Sequence, residues 1–308
     1  MKTLRIGTRA SRLALWQAEY ISARLRAESP GLEITLVPIT TKGDKVLDVP
    51  LYKVGGKGLF IKEIEEAMLR GEFDLAVHSM KDVPGIVPPG FDIACVPERE
   101  DPRDAFLSRS GVLFRDLPQG AVLGTSSPRR AAQLQFLRPD LQMRTLRGNV
   151  ETRIRKMRDG EYDAIVLAAA GMKRLELADQ ITELLAPEYF VPAVGQGALA
   201  LEILAGETAV RDLLVPLQHR DSTDRTDAER GFLATVEGGC QVPIAGHATL
   251  DGDEVVLDAL ISGPQGSPMI RGEERGPRSE AREVGVRLAR RLLDQGGREV
   301  LQTCMLNE

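Results

Sequence analysis

The sequence has few aromatic residues, few histidines and no excess of positive charge. Each shortage argues against particular kinds of core, site or partner. Phe, Trp and Tyr make up 4% of the 308 residues, whereas hydrophobic residues as a whole make up 43%, so the cores must be mostly aliphatic. The three histidines are widely scattered and lack metal-ligand spacing. The net charge of −5 and the scarcity of aromatics argue against a nucleic-acid-binding protein.

Long apolar segments and paired cysteines are also missing. The longest apolar run, near 164–172, is too short to span a bilayer, and residues 1–16 lack the apolar stretch of a signal peptide. The cysteines (Cys95, Cys240 and Cys304) form no CxxC pair, which argues against a zinc site or a disulfide framework. We therefore expect a cytoplasmic protein without a membrane segment, because unpaired thiols suit a reducing compartment.

The first half of the chain contains two series of alternating strand-like and helix-like segments, at 4–97 and 122–170. This alternation indicates an α/β fold with mainly parallel sheets. Residues 97–105 are short, charged and proline-bearing, and we interpret them as a hinge. A second crossing is predicted near 187–197. Two crossings return the chain to its first domain, which predicts two α/β lobes with a cleft between them.

From about Leu217 the pattern changes. A predicted helix at 224–237, three short strand-like runs and a last helix at 279–293 indicate a small α/β third domain. The predicted domains are a discontinuous first lobe (1–97 and 198–216), a second lobe (103–191) and a C-terminal domain that carries Cys240 (217–308).

Cys240 follows two glycines in the segment EGGCQVP. Glycines free the backbone and mark a loop, and a thiol presented on a loop can act as a nucleophile. The alternative is a small residue that fills the loop. Cys95 lies in the apolar run DIACV and is predicted to belong to the core.

The segment VHSMKDVP (77–84) leaves a buried strand and ends in a polar turn that contains Ser79, Lys81 and Asp82. Strand ends of open α/β sheets are common ligand sites. An acid at this place can stabilise a developing cation, but it can equally form a salt bridge or cap a helix. The residues alone leave these alternatives open.

Basic residues follow several predicted strands. Arg129 and Arg130 begin a helix directly after the hydroxyl groups of Thr125 and Ser127. Helix N-termini favour anions, and guanidinium groups fit carboxylates. The other members of the set are Arg9, Arg147, Arg153, Arg155, Lys173 and Arg174. Each alone can be a solvated surface charge, but together they predict a ligand with several carboxylates or phosphates.

A glycine-rich segment at 41–60 contains Lys53 and Lys57. Its composition is compatible with a mobile basic lid or with an ordinary solvated loop.

Eight segments in sequence order resemble the porphobilinogen deaminase (hydroxymethylbilane synthase) family. They cover most of the first 245 residues, and they are GTRASRLALWQ (7–17), KVGGKGLF (53–60), DLAVHSMKDVP (74–84), EREDPRDAF (98–106), GTSSPRR (124–130), LRGNVETR (146–153), PAVGQGAL (192–199) and EGGCQVPI (237–244). One departure is Pro128, where the family more often has leucine.

The resemblance implies a fold and an activity. The fold has two lobes similar to type II periplasmic binding proteins and a third domain that presents Cys240 to the cleft. The activity is that of a transferase of tetrapyrrole (haem and chlorophyll-type) biosynthesis, which joins four porphobilinogens head to tail into hydroxymethylbilane and releases ammonia. The implied cofactor is a dipyrromethane attached to Cys240 by a thioether. We expect a monomer, with no metal, whose product passes to uroporphyrinogen III synthase.

The resemblance also implies roles for individual residues. Asp82 corresponds to the catalytic aspartate. The cofactor-binding residues are Ser79, Lys81, Thr125, Ser127, Arg129 and Arg130. The substrate-binding residues are Arg9, Ser11, Lys53, Lys57, Phe60, Arg147, Arg153 and Arg174, although Phe60 can equally belong to the core. A non-catalytic anion-binding protein on the same two-lobed fold is the alternative, but it gives no reason for Cys240 on a glycine loop.

Overall fold

The structure, a computed structural model, describes residues 1–41, 61–236 and 242–306. The described strands are β1 (Thr3–Arg9), β2 (Glu33–Ile39), β3 (Leu75–Ser79), β4 (Phe91–Cys95), β5 (Asp104–Ser108), β6 (Val122–Gly124), β7 (Gln142–Arg144), β8 (Ala164–Ala168), β9 (Glu183–Leu185), β10 (Leu199–Leu204), β11 (Ile244–Asp251), β12 (Glu254–Ser262) and β13 (Met269–Pro277). The described helices are α1 (Arg12–Glu28), α2 (Lys62–Leu69), α3 (Pro128–Leu137), α4 (Val150–Arg158), α5 (Ala169–Arg174), α6 (Thr208–Leu214), α7 (Arg220–Thr235), α8 (Ala281–Leu292) and α9 (Arg298–Leu306).

The strands form three sheets. The first has the order β2-β1-β3-β10-β4, the second β7-β6-β8-β5-β9 and the third β11-β12-β13. We call the first sheet with α1, α2 and α6 the first lobe, the second sheet with α3, α4 and α5 the second lobe, and the third sheet with α7, α8 and α9 the third domain. Among the described residues, no helix is both long and apolar enough to cross a membrane.

The expectation of mainly parallel sheets is confirmed, since four of the five strands in each lobe sheet run in the same direction and one is reversed. In the first sheet, β1 pairs parallel with β2 and β3, whereas β10 pairs antiparallel with β3 and β4. In the second sheet, β6 pairs parallel with β7 and β8, whereas β5 pairs antiparallel with β8 and β9. The reversed strands are those that follow a crossing.

The chain crosses between the lobe sheets twice, between β4 and β5 and again between β9 and β10. The strand that follows each crossing, β5 or β10, runs antiparallel to both of its neighbours. It lies between two other strands of the sheet that it enters. The two crossings therefore form a pair of adjacent segments, 96–103 and 192–198, which we call the crossover segments. The exact domain boundaries stay a prediction.

Capping residues fix the starts of the helices near the crossovers. The Ser11 side chain accepts a hydrogen bond from the Ala14 N–H at the start of α1. The Ser127 side chain accepts from the Arg130 N–H at the start of α3, and Pro128 occupies the first helical position, where a missing N–H is harmless. These caps place the first turns of both helices at the junction of the lobes.

The cores are mostly aliphatic, as predicted. Between α1 and the first sheet, the buried side chains are those of Leu, Ile, Val and Ala together with Cys95. Each fully buried Leu or Ile stabilises the fold by about 1.5–3 kcal/mol. The second lobe adds Phe106, Phe114 and Phe190 to its core, and the third domain adds Phe232. The core of each lobe thus packs its helices against its sheet.

Candidate active site

Asp82 lies in a pocket where two parallel strands of the first lobe end. Strand β3 ends at Ser79 and is followed by a single turn of 3₁₀ helix, Met80–Asp82. The pocket has a volume of about 100 Å³, and its lining includes Arg9, Ser11, Ser79, Lys81 and Asp82. Because β1 and β3 are parallel neighbours, their carboxyl ends meet at one edge of the sheet. Five residues predicted for the site therefore share one pocket.

The polar turn is held in place by the returning chain. The Met80 N–H donates to Ala198 O at 3.0 Å. Gly195 has a φ of +69°, and a Cβ at this position would lie 2.5 Å from Met80 Cγ. Only glycine fits such a close approach with a positive φ. Gln17 Nε2 donates to Ser79 Oγ at 2.9 Å, so helix α1 also fixes the turn.

Two arginines at the start of α3 share one buried carboxylate, Asp104. Arg129 Nη1 lies 2.8 Å from Asp104 Oδ2, and Arg130 Nη2 lies 2.7 Å from Asp104 Oδ1. Burial alone would raise the pKa of Asp104, but the charges of the two arginines lower it to about 2. Asp104 therefore stays ionised and fixes both guanidinium groups.

The two arginines differ in what else they contact. Arg129 also donates to Val191 O at 2.7 Å and lies over the Phe190 ring, 5.8 Å from its centroid, so it is enclosed by protein. Arg130 donates to Val166 O at 3.0 Å and approaches Gln196 Oε1 at 3.4 Å. Arg130 is thus the member of the pair that points toward the first lobe.

Lys81 of the first lobe and Arg130 of the second lobe approach the same side chain, that of Gln196. Lys81 Nζ lies 3.4 Å from Gln196 Oε1, the oxygen that Arg130 also approaches. Burial and the charge of Arg130 lower the pKa of Lys81 to about 8, although Asp82 and Asp104 oppose the shift. A lysine whose charge is disfavoured in this way gains from any anion that binds beside it.

Arg153 and Arg147 extend the positive charge along the second lobe. Arg153, in the first turn of α4, donates from Nε to Gly148 O at 2.8 Å. Burial, followed by the charges of Arg130 and Arg147, lowers the pKa of Arg153 to about 10. Burial also lowers the pKa of Arg147. These cations are therefore close enough to repel one another.

We call Lys81, Arg129, Arg130, Arg147 and Arg153 the cation group. Among residues 1–41, 61–236 and 242–306, its five cations outnumber the two neighbouring carboxylates, Asp82 and Asp104. Repulsion and burial together make this a site for an anion with several carboxylates or phosphates. The predicted ligand class thus agrees with the geometry.

Arg174 and the hydroxyl groups before α3 lie at the margins of the cation group. Arg174 is 8% exposed and donates from Nη2 to Gly197 O at 2.7 Å. Thr125 Oγ1 accepts from the Ser127 N–H at 3.2 Å, so these two hydroxyl-bearing residues lie side by side at the start of α3.

Residues 4–212 match the family profile described as "Porphobilinogen deaminase, dipyromethane cofactor binding domain", and residues 223–294 match "Porphobilinogen deaminase, C-terminal domain". The chain belongs to the porphobilinogen deaminase family. A porphobilinogen deaminase of Syntrophotalea carbinolica is 54% identical over 97% of this chain and 95% of its own, and one of Geobacter sulfurreducens is 53% identical over 98% and 94%.

Porphobilinogen deaminases are transferases of tetrapyrrole biosynthesis, and the two-lobed α/β fold with a small third domain agrees with that membership. Among solved structures, a TRAP periplasmic solute binding protein from Desulfovibrio salexigens aligns with 70% of this chain and 72% of its own, at 12% identity and a TM-score of 0.43. The strand order in the two lobe sheets, with one reversed strand after each crossing, is the basis of the fold class.

The residues of this deaminase fit the dipyrromethane cofactor that gives the first family domain its description. Each pyrrole of such a group carries two carboxylates, and the cation group supplies an excess of buried and half-buried positive charge. Lys81 and Arg130 converge on a single neutral oxygen of Gln196, so neither cation is neutralised by it. A polycarboxylate would lower the free energy of both.

Four predicted site residues of the deaminase lie outside the described residues: Lys53, Lys57, Phe60 and Cys240. Cys95, predicted to belong to the core, is 1% exposed, and burial raises the pKa of its thiol to about 12. Such a thiol is a poor nucleophile at neutral pH. Cys95 is thus unsuited to attach the cofactor, and attachment at Cys240 stays a prediction.

The sequence did not identify Gln17, Asp104 or Gln196 as site residues. Gln196 Nε2 donates to Pro102 O at 2.7 Å and to Asp104 Oδ1 at 3.2 Å, which fixes the orientation of the amide. The signal in the sequence was indirect, because Gln17, Asp104 and Gln196 fall within three of the family-like segments, 7–17, 98–106 and 192–199.

Proposed function

We propose that this chain joins four porphobilinogen molecules head to tail into hydroxymethylbilane with release of ammonia, that Asp82 is the catalytic residue and that Cys240 holds the dipyrromethane. The observation that carries the proposal is the cation group beside the Asp82 pocket. A growing chain of pyrroles gains two carboxylates with each addition, and the excess of buried and half-buried cations offsets that charge in a protein whose net charge is −5.

Asp82 is placed to act on the substrate. Its carboxylate lines the pocket, and its backbone is held by the turn after β3. When the C–N bond of porphobilinogen breaks, the bonding electrons leave with the nitrogen and the remaining pyrrole becomes cationic. The Asp82 carboxylate can accept a hydrogen bond from the pyrrole N–H and stabilise that cation. Preorganised charge of this kind often contributes more to catalysis than any other single effect.

The cation group would hold the carboxylates of the dipyrromethane through Lys81 and Arg130, with Ser79, Thr125 and Ser127 as hydroxyl donors. Arg129 would bind the same carboxylates, and Asp104 would fix the guanidinium groups of Arg129 and Arg130. When bound, the dipyrromethane supplies the terminal pyrrole carbon to which substrate units are added. These residues bind and orient charge, whereas Asp82 stabilises the cation that forms in each cycle.

The substrate and the growing chain would be bound by Arg9, Ser11, Arg147, Arg153 and Arg174. Lys53, Lys57 and Phe60, which lie outside the described residues, are proposed to bind the substrate as well. Ser11 also caps α1, so a variant at this position is expected to affect both stability and binding. Movement of the lobes is expected as the chain lengthens.

Mass spectrometry of the intact protein tests the attachment. We expect the purified chain to be heavier than its sequence by one dipyrromethane, with the added mass on the peptide that contains Cys240. Cys240→Ser should lack the mass and the activity, and Cys304→Ser is the matched control that should retain both. A fully active chain without added mass would refute the attachment.

Incubation with porphobilinogen tests the activity. Release of ammonia, and a coloured porphyrin after oxidation of the product, are the expected results. An anion-binding protein without catalysis would bind porphobilinogen but release no ammonia, and that outcome would refute the proposed reaction.

We also propose that the protein acts as a monomer in the cytoplasm and that its product passes to uroporphyrinogen III synthase. Light scattering of the purified chain at micromolar concentration tests the first point, since a stable dimer would contradict it.

A further inference from the structure

Arg174 ends helix α5 in the second lobe, but its guanidinium lies at the junction with the first lobe. It donates to Gly197 O in the second crossover segment at 2.7 Å. Burial lowers the pKa of Arg174 to about 10, and the charge of Glu100 opposes that shift. Glu100 itself is bound by Lys173 Nζ at 3.1 Å. Within the described part of the chain, Arg174 therefore forms no ion pair of its own.

Trp16, on helix α1 of the first lobe, faces this guanidinium. Arg174 Cζ lies 6.0 Å from the centroid of the Trp16 ring. The indole is itself stacked on Tyr20, one turn further along α1, with ring centroids 5.3 Å apart and an angle of 7° between the planes. A ring held by its neighbour in this way gives the cation a fixed surface, and indole is the best side chain for such a contact.

Helix α1 also meets the second lobe at two other points. Arg12 Nη1 lies 2.9 Å from Glu151 Oε1, and both side chains are partly exposed. A Cβ at Gly171 of α5 would lie 3.6 Å from Leu13 Cδ2, so α1 and α5 are in close contact. The Trp16–Arg174 contact thus belongs to a packed seam between the lobes, formed by the first two turns of α1.

We propose that Trp16 is a positioning residue for Arg174. The indole holds the guanidinium between the lobes, Gly197 O accepts from one Nη, and the remaining N–H groups are left to bind a carboxylate of the substrate or of the growing chain. The inference rests on the proposed function, which makes Arg174 a ligand of those carboxylates. Trp16 acts through Arg174 and touches no reacting atom.

Steady-state kinetics of Trp16 variants test the positioning. Loss of a cation–π contact corresponds to about a two- to fivefold change in an equilibrium constant. Trp16→Leu should therefore raise KM for porphobilinogen by about two- to fivefold and leave kcat within about twofold, and Trp16→Phe should lie between Trp16→Leu and the unmodified enzyme. Arg12→Ala is the control, since it removes the ion pair with Glu151 between the same two lobes and leaves Arg174 unchanged, and its KM should equal that of the unmodified enzyme.

An unchanged KM in Trp16→Leu, or an equal rise of KM in Arg12→Ala, would overturn the proposal.

Fluorescence provides a readout that does not depend on turnover. Trp16 is the single tryptophan of the chain, so the tryptophan emission reports the surroundings of this side chain, which include Arg174 and Tyr20. We expect the emission of Arg174→Leu to differ from that of the unmodified protein before any substrate is added, with Arg174→Lys between them. Identical emission in all three proteins would refute the contact. If the unmodified protein releases no ammonia from porphobilinogen, the proposed function fails, whereas the emission comparison still decides whether Trp16 and Arg174 interact.

Discussion

Arg99 and Glu229 form a fully buried ion pair, with Nη1 2.7 Å from Oε1 and Nη2 3.1 Å from Oε2. Arg99 belongs to the first crossover segment, and its Nε also donates to Gln196 O in the second. Glu229, on α7 of the third domain, further accepts from the Gly195 N–H at 2.6 Å and the Ala248 N–H at 2.8 Å. One carboxylate thus joins both crossover segments to the third domain.

Removal of the Glu229 carboxylate should therefore destabilise the protein strongly. Glu229→Ala leaves Arg99 as a buried charge without its partner, and breaking such a pair costs about 3–5 kcal/mol. The midpoint of urea unfolding measures the effect. Asp92→Ala is the control, because Asp92 pairs with Arg211 at 2.9 Å on the surface, where an ion pair contributes at most about 1 kcal/mol. Equal midpoints for the two variants would contradict the role of Glu229.

Replacement of Asp82 should abolish turnover and preserve binding. Asp82→Asn keeps the shape of the side chain but removes the negative charge that would stabilise the substrate cation. We expect ammonia release to fall by about 10²–10³-fold, the usual loss when one preorganised electrostatic group is removed. Asp116→Asn, at an exposed acid of the second lobe, should retain full activity. Turnover of Asp82→Asn close to that of the unmodified enzyme would remove Asp82 from the catalytic role.

The lowered pKa of Lys81 predicts a pH dependence of stability in a protein that lacks the attached cofactor. Lys81 has a pKa of about 8 in the folded chain and near 10.5 when unfolded. Between these values the unfolded chain binds more protons, so stability rises as pH rises from about 8 to about 10. Below pH 8 Lys81 is charged in both the folded and the unfolded chain. The folded state is then destabilised by the full cost of burying that charge.

Thermal unfolding of Cys240→Ala across that pH range measures the effect of Lys81. Adding Lys81→Met should remove the rise in melting temperature, because the titrating group is gone. Adding Lys62→Met instead should leave the rise intact, since Lys62 is an exposed side chain on α2. A rise that persists in the Lys81→Met protein would assign the titration to another group.

The raised pKa of Glu65 predicts a pH dependence of stability that is opposite in sign to that of Lys81. Burial, followed by the charge of Glu202, raises the pKa of Glu65 from 4.5 to about 7, although His78 opposes the shift. The folded chain therefore keeps a proton that the unfolded chain loses, and stability falls as pH rises from about 4.5 to about 7.

Glu65→Gln should flatten the fall in melting temperature between about pH 5 and 7 and raise stability at neutral pH. Glu66→Gln, one residue further along α2, is the matched control, because Glu66 is exposed. If both variants show the same pH profile, Glu65 is not the group that titrates.

The pocket residues of the first lobe were predictable from the sequence. Arg9 ends β1, Ser79 ends β3 and Asp82 follows within one turn. Strands recognised by their apolar pattern, combined with the rule that parallel strand ends meet, are enough to bring these residues together. The caps at Ser11 and Ser127 follow from equally local signals.

Some elements lacked a local signal. Strand β10 was not predicted, because it follows the glycines of GQGALA and contains Glu202, which looks unsuited to a buried strand until His78, 124 residues away, is placed 2.9 Å from it. The predicted series at 122–170 ends in a short apolar run that belongs partly to β8 and partly to α5, which begins at Ala169, since such a run does not distinguish strand from helix.

The contacts between lobes could not be predicted from local patterns. Asp104 was placed at the end of a hinge, whereas it begins β5 and binds Arg129 and Arg130. Gln196 and Glu229 also act through partners far away in the sequence. Lys53, Lys57, Phe60 and Cys240 lie outside the described residues, and their roles stay predictions.

The position of β10 has a consequence for synthesis on the ribosome. The first sheet needs this strand between β3 and β4, yet β10 emerges about a hundred residues after β4. At about 5–20 residues per second, the facing edges of β3 and β4 stay open for on the order of 5–20 s. All five strands of the second sheet are made within that interval. The second lobe can therefore finish folding before the first, and the nascent first lobe needs shielding from edge-to-edge aggregation until β10 closes it.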